Sequence, residues 1–203
     1  KKQSVSLVLK RIFDIIVSFV LAVILLPLML VIAVIVKIDS AGPVFFMQER
    51  VTSMGKRFRI IKFRTMVKNA ESMGSKVTTS CDCRITRSGK WLRKLKLDEI
   101  PQVFNILAGQ MSFVGARPEV PEYVSAYTPQ MLSTLLLPAG LTSLASIEYK
   151  DESELIRQAD DADSVYINII LPEKMKYNLE YLENISLFKD ISIMFRTAFS
   201  MLN

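Results

Sequence analysis

The sequence predicts an α+β protein that is mostly helical and attached to a membrane near its N-terminus. Three observations support this class. Residues 15–36 carry no charge, two β-like runs flank the turn-prone stretch 52–55, and most of the remaining chain has the spacing of amphipathic helices. At 203 residues, half of them hydrophobic, the chain has room for one core besides the membrane segment. We divide it into a membrane part, residues 1–38, and one domain, residues 39–203.

The apolar segment is long enough to cross a bilayer, at about 33 Å if fully helical against roughly 30 Å of hydrocarbon. Basic residues flank it on both sides, with Lys10 and Arg11 before it and Lys37 after it. A spanning helix would place one basic set on the wrong side of the membrane. Pro27 favours a kink near the centre. We therefore predict that residues 1–10 form a polar lead, and that residues 11–38 form a re-entrant helix whose two ends lie on the cytoplasmic face.

The same segment is too long for the apolar part of a signal peptide, and no small-residue cleavage site follows it. We expect it to remain on the mature protein.

Residues 44–50 and 57–65 predict the two strands of a small β-hairpin. Lys62 and Arg64 alternate with apolar residues on the second strand, so their side chains should share one face. That face contacts either substrate or solvent. A polar helix followed by a loop is predicted for residues 66–80.

The rest of the chain is predicted to be helical, with breaker-rich loops between the helices. Residues 85–97, which include Arg87, form a basic amphipathic helix suited to an anionic membrane surface, or else an ordinary helix with a solvated face. A second helix opens at Asp98, with Pro101 in its first turn and Gly109 at its end. Further helices are predicted at 119–136, 151–163, 164–183 and 187–202, of which the last two are amphipathic. Loops are predicted at 114–118 and 138–142.

Composition excludes several kinds of chemistry. The chain has no histidine, so Ser-His-Asp and Cys-His triads and histidine-ligated metals are excluded. It contains neither of the common glycine-rich phosphate motifs. Cys81 and Cys83 are expected to be free thiols.

The net charge of +6 suits nucleic acid, anionic lipid or a phosphorylated substrate. Lipid with an anionic ligand accounts for both the charge and the apolar segment, whereas nucleic acid accounts for the charge alone.

Three side chains are candidates for chemistry. Asp98 and Glu99 stand at a predicted helix start, where the dipole favours an ionised carboxylate or a bound phosphate. Adjacent carboxylates also suit Mg²⁺, although an Asp-Glu pair in this position is most often only a cap. Arg117 lies in a stiff loop before Pro118, and its guanidinium is suited to a diphosphate. The alternative for Arg117 is an ordinary surface arginine.

Six short motifs follow one another along the chain: Asp39-Ser-x-Gly-Pro-Val-Phe-Phe-x-Gln48, Lys62-Phe-Arg-Thr-Met66, Asp82-x-Arg-Ile-Thr86, Leu97-Asp-Glu-Ile-Pro-Gln102, Gly109-x-Met-Ser-Phe-Val-Gly115 and Arg117-Pro118. Together these motifs resemble those of the bacterial sugar transferases, and more narrowly those of the monotopic polyprenyl-phosphate phosphoglycosyl transferases in their minimal form. The chain departs from the family pattern at Leu26, Ala116 and Ser143.

The resemblance implies an enzyme that moves a sugar-1-phosphate from a UDP-sugar to undecaprenyl phosphate and releases UMP, the first membrane step of glycoconjugate biosynthesis. It implies that Asp98 is the nucleophile of a covalent intermediate and that Glu99 holds Mg²⁺. Lys62 and Arg117 would bind substrate or organise the site, and we add Arg64 and Arg87 as candidate substrate-binding residues. The enzyme would work on the cytoplasmic face of the bacterial inner membrane, without nucleic acid.

Two alternatives remain open at this point. One is a bitopic anchor that carries a basic module for anionic lipid or nucleic acid. The other is a metal-dependent phosphohydrolase, which would release sugar phosphate to water. The identity of the sugar and the oligomeric state are not predicted.

Overall fold

The computed structural model describes residues 2–70, 82–149, 155–156 and 161–202. This part of the chain is mostly helical, as predicted, and it contains two small sheets, of which only the hairpin was predicted. The α-helices are α1 (Lys2–Asp39), α2 (Arg87–Lys94), α3 (Gln102–Leu107), α4 (Pro121–Val124), α5 (Pro129–Leu132), α6 (Leu144–Glu148), α7 (Ala162–Val165), α8 (Leu171–Glu183) and α9 (Leu187–Leu202). The strands are β1 (Phe45–Val51), β2 (Arg57–Phe63), β3 (Met111–Val114) and β4 (Ala139–Thr142).

Helix α1 includes the residues predicted to be a polar lead, so that prediction is wrong from Lys2 onward. Pro27 lies inside it. Among the described helices, Val5–Asp39 is the one that is long and apolar enough to cross a membrane. Most of its large apolar side chains are exposed. The re-entrant path stays a prediction.

A narrow stripe of α1 is buried against the rest of the protein along both halves of the helix. In the first half this stripe is polar and includes Lys10 and Asp14; in the second half it is apolar and includes Ile32 and Val36. The second half packs with Phe63 of β2 and with α2 in one apolar cluster. The helix therefore lies along the domain instead of leaving it at one end.

Lys10 anchors the first half of α1. Its Nζ donates to the carbonyl of Val114 at 2.8 Å, to the Tyr181 hydroxyl at 3.2 Å and to Asp190 Oδ2 at 2.7 Å. The Tyr181 hydroxyl donates to the other Asp190 oxygen at 2.5 Å. The side chains of Lys10 and Asp190 are only 5% and 2% exposed. This buried ion pair joins α1 to strand β3 and to the C-terminal helices α8 and α9.

We expect Lys10→Met to lower the free energy of unfolding by about 3–5 kcal/mol, because it leaves the Asp190 carboxylate buried without its cation. Thermal unfolding in detergent measures the effect. Lys176→Met is the matched control, since the Lys176–Glu173 pair is 69% and 45% exposed and such pairs contribute little. Equal melting temperatures for the two variants would contradict the expectation.

The predicted β-hairpin is confirmed. Strands β1 and β2 pair antiparallel, with Phe45 opposite Phe63 and Val51 opposite Arg57. A short 3₁₀ turn joins them, in which Met54 and Gly55 have positive φ. The helices predicted at 66–80 and 151–163 lie mostly outside the described residues.

The loops predicted at 114–118 and 138–142 contain strand residues, and this part of the prediction is wrong. Strands β3 and β4 form a parallel pair, with Met111 opposite Ala139. Gly140 lies directly against Gly115, where a Cβ atom would collide with backbone. The glycines therefore permit a close strand approach rather than breaking the chain, and the pair sets the start of the loop that carries Arg117.

Helix α2 is shorter than predicted and ends before Asp98. Asp98 and Glu99 lie in a 3₁₀ turn, Leu97–Glu99, and α3 begins only at Gln102 with Pro101 as its N-cap. The carboxylates thus precede the helix instead of opening it. Gly109 follows the end of α3 with a φ of 80°, as predicted. The helices predicted at 164–183 and 187–202 are confirmed, although the first contains a π-helical turn at Tyr166–Ile170.

Candidate active site

Asp98 is a buried carboxylate with an unpaired oxygen. Its side chain lies in the 3₁₀ turn after α2, and the residue is 8% exposed. Its Oδ1 atom has no hydrogen-bond partner among the described residues. Buried polar atoms are normally paired, so an unpaired one needs a reason, and a reactive or ligand-binding role is one such reason.

Glu99 joins two cations from distant parts of the chain. Its Oε1 accepts from Lys62 Nζ at 2.7 Å and from Arg117 Nη2 at 2.8 Å. Lys62 comes from strand β2, and Arg117 comes from the loop after β3. Two of the residues predicted to bind substrate are thus brought together at the predicted carboxylate pair.

Burial dominates the electrostatics of Asp98. Desolvation raises the pKa of its carboxyl above the usual value; Lys62 and Arg93 oppose this shift, while the neighbouring charge of Glu99 adds to it. Burial would also raise the pKa of Glu99, but Arg117 and Lys62 together hold that pKa well below its usual range. The pKa values of the two adjacent carboxyls are therefore shifted in opposite directions, that of Glu99 downward and that of Asp98 upward.

The contacts with Glu99 also shift the pKa values of the two cations. Desolvation lowers the pKa of Lys62, an effect that Glu99 opposes, whereas Glu99 raises the pKa of Arg117. The side chain of Arg117 keeps 39% of its surface exposed, so it is open to a ligand from solvent.

Arg93 is a site residue that the sequence analysis missed. It lies in the last turn of α2, where its Nε donates to Thr65 Oγ1 at 2.8 Å, and its charge acts on Asp98. On the sequence alone it is one of five basic residues in the amphipathic helix predicted at 85–97. Its position five residues before Asp98 was the available signal, but only the turn between the two residues brings it close.

A second pair of charged residues supports the Arg117 loop. Arg50 donates to the carbonyl of Pro118 at 3.1 Å and lies 3.9 Å from Glu119. Glu119 is buried and accepts from the Tyr166 hydroxyl at 2.6 Å. Neither charge was singled out by the sequence.

Arg64 and Arg87 both lie near the C-terminal end of α1, and their role in binding substrate stays a prediction. Arg64 is buried, and its Nη2 donates to the carbonyls of Ser40 at 2.6 Å and Val36 at 3.4 Å, at the end of α1. Arg87 lies on the rim of an open groove of about 430 Å³ between α1 and α2. The groove is lined by Ile35, Ile38, Asp39, Arg87, Ser88 and Trp91.

The described residues contain no cluster of three or more metal-ligating side chains. Asp98 and Glu99 offer carboxylate oxygens at the site, and Asp98 Oδ1 is buried with no hydrogen-bond partner in the described part of the chain. Two carboxylates suit Mg²⁺ when substrate phosphates complete its coordination. The donor set thus fits a cation that arrives with a phosphorylated substrate, and the Mg²⁺ requirement stays a prediction.

The chain matches the family model described as bacterial sugar transferase over residues 5–203. The chain belongs to the bacterial sugar transferase family. Within this family it is 36% identical to an Aeromonas hydrophila UDP-N-acetylgalactosamine-undecaprenyl-phosphate N-acetylgalactosaminephosphotransferase, over 96% of this chain and 44% of that protein. It is 35% identical to a Klebsiella pneumoniae UDP-glucose:undecaprenyl-phosphate glucose-1-phosphate transferase, over 97% of this chain and 41% of that protein.

A shorter bacterial sugar transferase is also similar along most of its length. A Caulobacter vibrioides UDP-glucose:undecaprenyl-phosphate glucose-1-phosphate transferase is 33% identical over 95% of this chain and 69% of its own. The chain therefore spans about two fifths of the first two relatives and about two thirds of this one. Family membership and the long apolar helix α1 together indicate a membrane-associated protein.

Proposed function

We propose that this chain transfers a sugar-1-phosphate from a UDP-sugar to undecaprenyl phosphate and releases UMP. The observation that carries the proposal is the buried Asp98 beside the Lys62–Glu99–Arg117 cluster, with an Oδ1 atom that has no hydrogen-bond partner among the residues the structure describes. The relatives' names support the two substrate classes. A nucleophile surrounded by fixed cations is what transfer of a phosphoryl group requires.

The reaction proceeds in two displacements at one phosphorus atom. A carboxylate oxygen of Asp98 attacks the phosphorus that bears the sugar, the bond from that phosphorus to the UMP oxygen breaks, and UMP leaves with the electron pair. A phosphate oxygen of undecaprenyl phosphate then attacks the same phosphorus. The bond to Asp98 breaks, and the carboxylate is restored with the diphosphate lipid as product.

The side chains around Asp98 have separate tasks. Lys62, Arg93 and Arg117 neutralise charge on the diphosphate and on the leaving UMP. Glu99 keeps Lys62 and Arg117 in place, and with Asp98 it would hold Mg²⁺. A bound Mg²⁺ would supply further charge neutralisation and would orient the diphosphate.

Contacts along both halves of α1 support the re-entrant path. Lys10 near one end and Asp39 at the other are bonded to the same domain, at Asp190 and Ser88. A helix that carried one end across the bilayer would separate these contacts from one another. A site at the membrane surface can be reached by both substrates, since undecaprenyl phosphate stays in the lipid and a UDP-sugar stays in the cytoplasm. The site belongs, on this proposal, to the cytoplasmic face of the bacterial inner membrane.

The groove between α1 and α2 is suited to the acceptor lipid. Ile35, Ile38 and Trp91 give it an apolar wall beside the membrane helix, and Arg87 places a cation at its rim. Helix α2 runs from this groove to Arg93, about 9 Å further along its axis. An isoprenoid chain against the apolar wall would thus bring its phosphate toward Asp98.

We expect single cysteines at Val5 and Lys56 to react with an impermeant thiol reagent from the cytoplasmic side. Both side chains are exposed and lie outside the uncharged segment. The background replaces Cys81 and Cys83 with serine, and inverted and right-side-out vesicles give access to each side. Labelling of the two positions from opposite sides would establish a spanning helix.

Release of UMP from a panel of UDP-sugars, with and without undecaprenyl phosphate, tests the proposed function. We expect sustained UMP release only when both substrates are present. Sustained release without the lipid would indicate a phosphohydrolase, and no release from any donor would indicate a binding module.

A further inference from the structure

We propose that Asp39, the last residue of the membrane helix, is a positioning residue that fixes helix α2 and thereby places Arg93 beside Asp98. We call the contact between Asp39 of α1 and Ser88 of α2 the joint. The kinetic test of the proposal rests on the proposed function, but the joint can also be measured without enzymatic activity. Three sets of contacts carry the inference.

The first is a cap that crosses between two helices. Asp39 Oδ2 accepts from the backbone N–H of Ser88 at 2.9 Å and from its hydroxyl at 2.7 Å. Ser88 lies in the first turn of α2, forty-nine residues further along the chain, and is buried. The first N–H groups of a helix have no partner inside it and favour a nearby anion. Thr86 is the local N-cap of α2 and accepts from the N–H of Gly89, so Asp39 supplies a second cap, on the N–H of Ser88.

The second set of contacts transmits the position of α2 to the site. Gly89 lies so close to the Thr65 carbonyl that a Cβ atom would not fit, and Thr65 Oγ1 accepts from Arg93 Nε at 2.8 Å. Helix α2 has only eight residues, which is about 12 Å. A short helix held at its first turn by Asp39 moves as one body if that contact is lost, and Arg93 moves with it.

The third set of contacts connects the end of strand β2 to the C-terminal end of α1. Arg64, next to Thr65, donates to the carbonyls of Val36 and Ser40 at the C-terminal end of α1. The Arg64–Thr65 dipeptide therefore holds both the end of the membrane helix and the guanidinium of Arg93. This explains why a buried arginine predicted to bind substrate is turned toward α1.

The kinetic test compares Asp39→Ala with Asp39→Asn. We expect Asp39→Ala to lower kcat about ten- to hundredfold, because small misplacements at a reacting centre have effects of this size. KM for the UDP-sugar should change less than about threefold, since the contacts of Arg117 and Lys62 are untouched. Asp39→Asn should keep kcat within about threefold of the unaltered chain, because its amide oxygen accepts from the same Ser88 groups. Thr128→Ala is the matched control, because it removes the N-cap of α5, far from α1 and α2 in the chain.

A fluorescence measurement tests the joint without any substrate. Trp91 is the single tryptophan of the chain and lies on α2. We expect Asp39→Ala to raise acrylamide quenching of Trp91 about twofold, and Asp39→Asn and Thr128→Ala to leave it unchanged. Ser88→Ala keeps the backbone contact with Asp39 and removes the hydroxyl contacts with Asp39 and Thr86, so it should give a smaller rise in quenching and a smaller fall in kcat.

These measurements separate the two proposals. If the unaltered chain releases no UMP from any UDP-sugar, the proposed function fails, and Trp91 quenching still decides whether Asp39 holds α2. Quenching in Asp39→Ala equal to that of the unaltered chain would overturn the joint. A fall in kcat shared equally by Asp39→Ala, Asp39→Asn and Thr128→Ala would also overturn it, since that pattern reflects general destabilisation.

Discussion

Asp98→Asn is expected to reduce transfer to undecaprenyl phosphate at least about a thousandfold, because the amide cannot act as the nucleophile. The two side chains have nearly the same shape, and Asp98 Oδ1 has no partner among the described residues whose loss would disturb the fold. Membrane association should be unchanged, since α1 is untouched. The measurement is UMP release with both substrates, at equal amounts of folded protein, and a variant that keeps a tenth of the activity would contradict the role of Asp98.

The same substitution should stabilise the protein at neutral pH in the absence of metal. Burial raises the pKa of Asp98, so the folded chain keeps this proton to a higher pH than the unfolded chain does. The stability of the unaltered chain therefore falls as the pH rises from the unfolded pKa, about 3.9, through the higher folded pKa. Asp98→Asn removes this fall, because asparagine is neutral at every pH. We expect its melting temperature to exceed that of the unaltered chain near pH 7 in EDTA, and the difference to vanish below about pH 4. A lower melting temperature near pH 7 would contradict the burial argument.

Glu99→Gln is expected to reduce activity about a hundredfold and to destabilise the site as well. The side chains of Lys62 and Glu99 are 18% and 13% exposed, so loss of the carboxylate leaves a mostly buried ammonium without its anion. Breaking such a pair costs about 3 kcal/mol. A neutral amide is also a weaker ligand for a hard cation, so the Mg²⁺ concentration for half-maximal activity should rise.

The control for Glu99→Gln is Glu49→Gln. The pair that Glu49 forms with Arg57 is 50% and 66% exposed, and its loss should change neither activity nor melting temperature measurably. Full activity of the unaltered chain in excess EDTA would contradict the metal role of Glu99. Unchanged activity of Glu99→Gln would contradict both of its assigned tasks.

The hairpin, the long apolar helix and the Asp98–Glu99 pair were predictable because each is encoded in adjacent residues. Alternation, a run without charge and a short motif are local signals. The β3–β4 pair was missed for two reasons. Its strands have only four residues each, and Gly140 was interpreted as a loop residue although it permits the close approach to Gly115. Strands this short and this buried have no alternating pattern to detect.

The sequence also did not show which charged side chains contact one another in the folded protein. Lys62 and Arg64 are two residues apart and looked equivalent, yet Lys62 contacts Glu99 and Arg64 caps α1. The contact between Asp39 and Ser88 spans forty-nine residues, and no spacing rule connects them. Side-chain types limit what a site can do, but tertiary contacts decide which cation meets which anion.

The most direct measurement mixes the protein with a UDP-sugar labelled in the sugar, in the absence of undecaprenyl phosphate. Intact-protein mass spectrometry and UMP analysis then follow a single turnover. Two displacements at Asp98 predict a protein heavier by one sugar phosphate, one equivalent of UMP, and discharge of the label into lipid when undecaprenyl phosphate is added. Lipid product formed by an enzyme that takes no label and releases no UMP before the acceptor arrives would contradict the covalent route.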